Sequence, residues 1–134
     1  MLLVKNAEIY APEYLGKKDL LICGGKIECI QDSIRELPVE CEVLDAEGKI
    51  LTPGFLDQHV HITGGGGEGS FHTRTPELQM SELVENGITT VVGLLGTDGI
   101  TRSVDNLYAK TRVLCEEGVS PYMLTGAYGY PSPT

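Results

Sequence analysis

The sequence predicts an α/β chain in which short β-strands precede the first strand and helix units of a (β/α)8 barrel. Three observations support this fold class. Short apolar runs broken by turn residues fill the first fifty residues, and from residue 50 strand and helix patterns alternate. The run TTVVGLLG is apolar on both faces, as is typical of a strand buried between helices and a barrel interior. We place the domain boundary between residues 1–50 and 51–134.

The first segment contains short predicted strands. LLVKNAEIYAP alternates apolar and polar residues and is broken at Pro12. DLLICGGKIECI has two apolar runs around Gly24 and Gly25, which supply the positive φ angles of a two-residue hairpin turn. CEVLDAEGKIL predicts a third strand, with its turn at Glu47 and Gly48. Because so few strands in about 50 residues make a poor independent hydrophobic core, we expect them to pack against another structural element.

The second segment alternates strands and helices. Thr75 is predicted to cap the first helix with Pro76 at its first position, and Gly87 follows its end. Gly118 is predicted to end the second helix, which has one apolar face at a 3.6-residue period. That face consists of Val104, Leu107, Tyr108, Val113 and Leu114. The predicted strands are ILTPGFLDQHVHI, TTVVGLLG and SPYMLTGAY, and the predicted helices are TPELQMSELVENG and TRSVDNLYAKTRVLCEEG.

Composition excludes several classes of partner. The chain of 134 residues is 41% hydrophobic and 22% charged, which is typical of a globular domain. Its net charge of −9 repels nucleic acid and anionic membranes. The longest apolar runs fall short of the roughly 20 residues that a membrane-spanning helix requires. Lys5 and Glu8 interrupt the apolar stretch of a secretion signal, so we expect a cytoplasmic protein.

The four cysteines are irregularly spaced. Cys23 and Cys29 flank the predicted hairpin turn and could face each other across it. Because nothing points to an oxidising compartment, free and mostly buried thiols are expected instead.

The chain is too short for a complete barrel of the predicted type. A (β/α)8 barrel takes about 250 residues, whereas residues 51–134 hold three predicted strands and two helices. The last strand runs into YGYPSPT without a helix to cover it. We therefore expect the amino-terminal part of a longer protein, or a truncated reading frame. An open three-stranded sheet has unpaired edges, which predicts association or poor solubility.

The stretch DQHVHITGGGGEG carries the candidate metal ligands. Side chains at positions i and i+2 of a strand lie on one face about 6.6 Å apart, so His59 and His61 can reach one cation. Asp57 shares their parity, and neutral imidazoles suit Zn²⁺. The glycines follow the carboxyl end of the strand, where barrels place their active sites. A buried strand that runs into a loose turn is the alternative, and His72 is expected to be solvated or on the substrate side.

The glycine run from Gly64 to Gly67 predicts a ligand-binding loop. Without β-carbons the backbone can approach a ligand closely and offer its N–H groups to an anion. The run lacks both the Gly-Lys-Ser/Thr ending of a nucleotide-binding P-loop and Rossmann spacing. Glu68 places a carboxylate beside these donors, a combination that fits a zwitterion. A module that binds anions through this loop alone remains open.

These motifs together resemble a known family. PGFLDQHVH looks like the first barrel strand of the amidohydrolase superfamily. The longer PGFLDQHVHITGGGGEG, with TRTPE, GITTVVGLLGTD and MLTGAYGYP, is similar to isoaspartyl (β-aspartyl) dipeptidases over essentially the whole chain. The resemblance implies that residues 1–50 belong to a small β-sandwich and residues 51–134 to the catalytic barrel. It also implies a homo-oligomeric enzyme with two Zn²⁺ ions per site, one bound by His59 and His61; the family's remaining ligands lie downstream of this chain.

The resemblance further implies a substrate and its contacts. The substrate would be a dipeptide linked through the aspartate β-carboxyl, with Glu68 on its α-ammonium. Gly66, Gly67 and Thr97 would hold the polar end of the same residue. Tyr128 would polarise the scissile carbonyl as a metal-bound hydroxide attacks. From the residues alone, Thr97 could instead cap the following helix, and Tyr128 could pack at a strand end.

Other functions remain possible at this stage. One alternative is a dihydroorotase-like hydrolase of cyclic amides, and another is a non-catalytic or truncated product. We expect residues 1–134 alone to be inactive, because two histidines cannot build a dinuclear site.

Overall fold

The chain divides into two units, Met1–Pro53 and Gly54–Thr134, each with its own hydrophobic cluster. A computed structural model describes residues 1–35 and 37–132. The division follows Pro53 because the short strand Ile50–Leu51 pairs with the first strand of the chain. The assignment of the two units to a sandwich and a barrel stays a prediction.

The first unit is built on one mixed sheet. Its strands are β1 (Leu2–Tyr10), β2 (Tyr14–Cys23), β3 (Lys26–Gln31), β4 (Glu42–Asp45) and β5 (Ile50–Leu51). Their order is β3-β2-β1-β4, and β5 also pairs with β1. β1 is antiparallel to β2 and parallel to β4 and β5. Val4, Ala7 and Ile9 of β1 pack with Leu20 of β2 in the core of this unit.

Both predicted turns of this unit are present. Gly24 and Gly25 have φ angles of 56° and 76° and connect β2 to β3, so the predicted hairpin is confirmed. Glu47 and Gly48 also have positive φ angles, of 53° and 80°. The single strand predicted around this second turn is instead two strands, β4 and β5, because both segments pair with β1.

The cysteines have free thiols, as predicted. Their predicted burial was wrong: Cys23 and Cys115 are exposed, and Cys29 and Cys41 are half-buried. Cys23 lies at the end of β2 beside the hairpin turn, where the backbone leaves the core.

The second unit alternates strands and helices. Its strands β6 (Phe55–Val60), β7 (Ile88–Gly93) and β8 (Ser120–Met123) are parallel and lie in the order β6-β7-β8. A 3₁₀ helix (Phe71–Thr73) and α1 (Met80–Glu85) connect β6 to β7, and α2 (Val104–Glu116) connects β7 to β8. The predicted α/β class, with parallel βαβ units after an amino-terminal sheet, is confirmed.

Helix α1 begins later than predicted. Its cap is Gln79, whose backbone N–H donates to Glu82 Oε2 at 2.7 Å in a capping box. The predicted cap was wrong, because the Thr75 hydroxyl accepts a hydrogen bond from the Gly65 N–H at 2.8 Å. Gly87 follows the helix with a φ of 70°, as predicted.

Helix α2 lies close to its predicted position. Ser103 caps it by accepting from the Asn106 N–H at 3.1 Å, and Gly118 follows it with a φ of 97°. Its buried residues are Leu107, Thr111 and Leu114. Tyr108 and Val113 were wrongly placed on this face, since they are 58% and 45% exposed. The buried face is therefore narrower than the apolar pattern of the sequence.

The carboxyl end of β6 enters the core of the second unit. Ile62 is fully buried and packs in a cluster with Val91, Leu95 and Leu107. Leu56, near the start of the same strand, is 55% exposed. Burial thus increases along β6 towards the loop that carries the candidate site. In the described residues, the helices are too short or too polar to cross a membrane.

Candidate functional site

Two histidines lie at the carboxyl end of β6. His59 is within the strand and His61 directly follows it, and their ring centroids are 5.5 Å apart at an interplanar angle of 78°. Two imidazoles that share a tetrahedral Zn²⁺ at a Zn–N distance of about 2.1 Å would have ring centroids about 5 Å apart. The spacing of the pair therefore suits a shared divalent ion.

The surroundings of the two rings also favour a ligand role. His61 Nδ1 lies 3.3 Å from the Leu94 carbonyl oxygen, a contact that would leave Nε2 free for a metal. Asp57 turns back on its own strand, where its carboxylate accepts from the His59 N–H at 3.0 Å. Within residues 1–35 and 37–132, no cluster of three or more histidine, cysteine or acidic side chains is present that could hold a metal. This chain therefore offers a pair of imidazoles.

A glycine makes room for the His61 ring. Gly96 has a φ of 71°, and a β-carbon there would lie 2.3 Å from Cε1 of His61. A side chain at position 96 would therefore be strained and would overlap the imidazole. The sequence reasoning missed this residue, which connects the loop after β7 to the histidine pair.

The glycine loop is packed in place. Gly64 and Gly66 have φ angles of 86° and 67°, and β-carbons there would lie 2.3 Å from the Thr75 carbonyl oxygen and 2.5 Å from that of Thr73. The N–H groups of Gly64 and Gly65 are used internally, by the His61 carbonyl and the Thr75 hydroxyl. The structure therefore does not support the alternative of a loose turn. Gly66 pairs with Arg74 in an isolated antiparallel bridge, and anion binding by Gly66 and Gly67 stays a prediction.

Glu68 and Thr97 meet across two loops. The Thr97 hydroxyl donates to Glu68 Oε1 at 2.8 Å. This bond, the Glu68 backbone N–H and the charges of His61 and Arg102 hold the pKa of the Glu68 carboxyl below its usual value, although burial opposes them. Because Ser103 caps α2, the alternative role of Thr97 as the cap of that helix is wrong.

An open cleft surrounds this hydrogen bond. Its volume is about 300 Å³. It is lined by Gly66, Gly67, Glu68, Phe71, Arg74, Thr97, Asp98, Ile100 and Thr101. The four residues predicted to bind the polar end of a substrate therefore share one cleft. His72, in the adjacent 3₁₀ helix, is exposed as expected for a solvated side chain.

Tyr128 lies beyond the carboxyl end of β8. It borders a second cleft of about 200 Å³, together with Gly96 and Leu94, which both contact His61. Its side chain is 80% exposed, so the alternative that it packs at a strand end is wrong. The structure places it at the same end of the sheet as the histidine pair, in a different cleft from Glu68.

Three charged residues that the sequence reasoning missed link the loops of the site. Asp98 Oδ2 lies 3.5 Å from a guanidinium nitrogen of Arg74 and 3.5 Å from one of Arg102. The only sequence signal was the pair of opposite charges in DGITR, four residues apart in a loop. That spacing is common on protein surfaces, whereas Arg102 is 4% exposed.

Several known proteins are similar to the chain in sequence and in fold. No model of a known protein family matches it. The crystal structure of a β-aspartyl dipeptidase from Fervidobacterium islandicum AW-1, in complex with β-Asp-Leu, is 51% identical, with a TM-score of 0.91 over 99% of this chain and 35% of that one. A D-hydantoinase from Thermus sp. is 32% identical over 70% of this chain and 20% of that one, with a TM-score of 0.56.

A curated relative supports the same grouping. The dihydroorotase of Listeria monocytogenes serotype 4a (strain HCC23) is 36% identical over 91% of this chain and 28% of its own length. The parallel βα units of the second unit agree with these matches. The sequence and fold of the chain are those of the amidohydrolase superfamily. The chain thus spans 35%, 20% and 28% of the length of these three relatives.

Proposed function

We propose that this chain supplies the substrate-binding loops and two metal ligands of a zinc-dependent β-aspartyl dipeptidase. One observation carries the proposal: Gly66, Gly67, Glu68 and Thr97, which come from two separate loops, line one cleft. The 51% identity to a β-aspartyl dipeptidase that binds β-Asp-Leu supports the choice of substrate. The hydrolysed bond is the amide between the aspartate β-carboxyl and the second residue.

Glu68 binds the α-ammonium of the β-aspartyl residue. The carboxyl has a pKa below its usual value and is ionised at neutral pH, and the Thr97 hydroxyl donates to one of its oxygens. The other oxygen accepts from the ammonium, in a charge-assisted hydrogen bond. The N–H groups of Gly66 and Gly67 face the α-carboxylate of the same residue. A zwitterionic end is therefore matched by one acid and two backbone donors.

His59 and His61 would hold one of the two zinc ions of the complete site. When bound, zinc supplies a Lewis acid that polarises the scissile carbonyl and lowers the pKa of water. In this role His61 would be the tautomer that carries its proton on Nδ1 and donates a hydrogen bond to the Leu94 carbonyl. Gly96 keeps the space beside the ring clear.

Tyr128 stabilises the developing oxyanion. Its phenol can donate a hydrogen bond to the carbonyl oxygen of the scissile amide without adding a charge to the site. Its 80% exposure leaves the hydroxyl accessible to a substrate that enters from the cleft side.

A dihydroorotase-like activity is the second candidate, since a dihydroorotase is 36% identical over 91% of the chain. Dihydroorotate is a cyclic ureide with a carboxylate and no ammonium group. Glu68 would then have no cation to bind and would repel the substrate carboxylate. The charge of the cleft therefore favours the dipeptide.

A chimera tests the proposal. This chain replaces the matching third of the Fervidobacterium islandicum enzyme. We expect the chimera, loaded with zinc, to hydrolyse β-Asp-Leu and not dihydroorotate. Glu68→Gln should raise KM on the order of tenfold to a hundredfold, because a hydrogen bond between charged groups is lost. Glu116→Gln, at the exposed end of α2, is the matched control and should leave KM unchanged.

Two outcomes would refute the assignment. A folded, metal-loaded chimera that opens dihydroorotate but not β-Asp-Leu would make the second candidate correct. A Glu68→Gln chimera with the KM of its parent would remove the ammonium-binding role of that residue.

A further inference from the structure

Arg102 is a buried arginine that holds the glycine loop. It lies in the loop before α2 and is 4% exposed. Its Nε donates to the Thr63 carbonyl at 3.1 Å, and its Nη2 donates to the carbonyls of Gly65 and Thr75 at 3.2 and 3.3 Å. One planar guanidinium therefore binds backbone on both sides of the loop that carries Glu68.

The same guanidinium also reaches the loop that carries Thr97. Its Nη1 lies 3.5 Å from Asp98 Oδ2, and Asp98 directly follows Thr97 in the chain. The Asp98 carboxylate is held in turn by the N–H groups of Ile100 and Thr101, at 3.1 and 2.8 Å. Without the Asp98 carboxylate, the buried Arg102 guanidinium would lose its ion-pair partner, whereas Asp98 keeps a second contact with Arg74.

We propose that Arg102 is a positioning residue that sets the distance between Glu68 and Thr97, and thereby the affinity for the ammonium end of a β-aspartyl dipeptide. The proposal deepens and rests on the proposed function of the cleft. Glu68 and Thr97 lie on two different loops and are 29 residues apart in sequence. Their 2.8 Å hydrogen bond forms only when the two loops keep their relative position. Arg102 bonds to the first loop directly and to the second through Asp98.

The arrangement of the acceptors around position 102 requires an arginine. The three carbonyls and the carboxylate surround the guanidinium, whose five N–H donors point outward in a fixed plane. A lysine carries its three donors on one nitrogen and cannot span the same acceptors. Arg102→Lys should therefore keep the charge next to Asp98 and still loosen the glycine loop.

Amide hydrogen exchange on the folded chimera tests the positioning role separately from any measurement of activity. In Arg102→Gln we expect the amides of residues 64–68 to exchange about tenfold faster, while those of α2 keep their rates; Arg102→Lys should give a smaller change. The matched control is Arg112→Gln, an exposed arginine of α2, which should change neither set. Uniform acceleration over the whole chain, or no acceleration in residues 64–68, would overturn the proposal.

A double-mutant cycle in the chimera tests the link to the substrate. Arg102→Gln should raise KM for β-Asp-Leu on the order of tenfold with a smaller change in kcat. In a Glu68→Gln background the same substitution should have little further effect, because Arg102 acts through Glu68. Additive effects would show that Arg102 only stabilises the fold.

A parent chimera that fails to hydrolyse β-Asp-Leu would refute the proposed function, while the exchange result would still decide the role of Arg102 in the loop.

Discussion

Asp98 is the residue whose ionisation the local structure controls most strongly. The Thr101 hydroxyl and the Thr101 N–H donate to its carboxylate, and with the Ile100 N–H and the charge of Arg74 they lower the pKa of Asp98 to about 2. An acid with a pKa below its unfolded value stabilises the fold above the unfolded pKa, near 3.8, and loses that contribution as the pH falls towards 2. The charge that neutralises Arg102 is therefore present throughout the neutral range.

Removing the strongest donor should raise the Asp98 pKa. We expect Thr101→Val to move it up towards 3.8, because the hydroxyl contact is lost while the backbone N–H bonds remain. Thr101→Ser keeps the hydroxyl and is the matched control, with a pKa near that of the parent. Carboxyl-carbon NMR over a pH range of about 1.5 to 6, in which aspartates titrate, measures the Asp98 pKa in both variants. Equal pKa values in the two variants would contradict the assigned cause.

Single residues of the site differ in how well the sequence predicts them. His59 and His61 could be found because the two-residue period of a strand puts both on one face. Glu68 could be found because it directly follows the glycine run, whereas Thr97 and Tyr128 came from the resemblance to a family; the roles of all three stay predictions. Arg102 was missed because its partners Thr63 and Gly65 are 39 and 37 residues away, and local sequence does not report such contacts.

At the scale of elements, the strands were easier to predict than the ends of the helices. The hairpin and the parallel strands follow apolar runs and turn glycines that the sequence displays. Helix α1 starts at Met80 because Thr75, which has the chemistry of a cap, is used by the glycine loop. A tertiary hydrogen bond has here displaced a local preference.

Helix α2 provides a prediction on stability. Leu107 is fully buried in the core of the second unit, so Leu107→Ala should lower the free energy of unfolding by about 2–5 kcal/mol. Val113→Ala on the same helix is the control and should cost less than about 1.5 kcal/mol, because its side chain is 45% exposed. Urea unfolding followed by circular dichroism compares the two. Similar losses would mean that the sequence pattern, with Val113 in the core, describes the helix better than the structure does.

At the scale of the whole molecule, the second unit exposes apolar strand residues. Its described sheet has the order β6-β7-β8, which leaves β6 and β8 at the edges. Phe55 and Leu56 of β6 and Tyr122 of β8 are 60%, 55% and 63% exposed. Exposed edge strands with large apolar side chains are templates for pairing with another chain. These residues therefore favour contact with further polypeptide.

The 134-residue chain should consequently self-associate in solution. We expect sedimentation velocity to show a concentration-dependent shift to larger species, and Leu56→Lys to reduce it, because a charge on an edge strand opposes pairing. Val84→Lys is the matched control: Val84 is 57% exposed but lies on α1, so it should leave association unchanged. A parent chain that is monodisperse and melts cooperatively as a monomer would contradict the prediction. Equal effects of the two lysines would point to net charge, since the chain carries −9, and not to the strand edge.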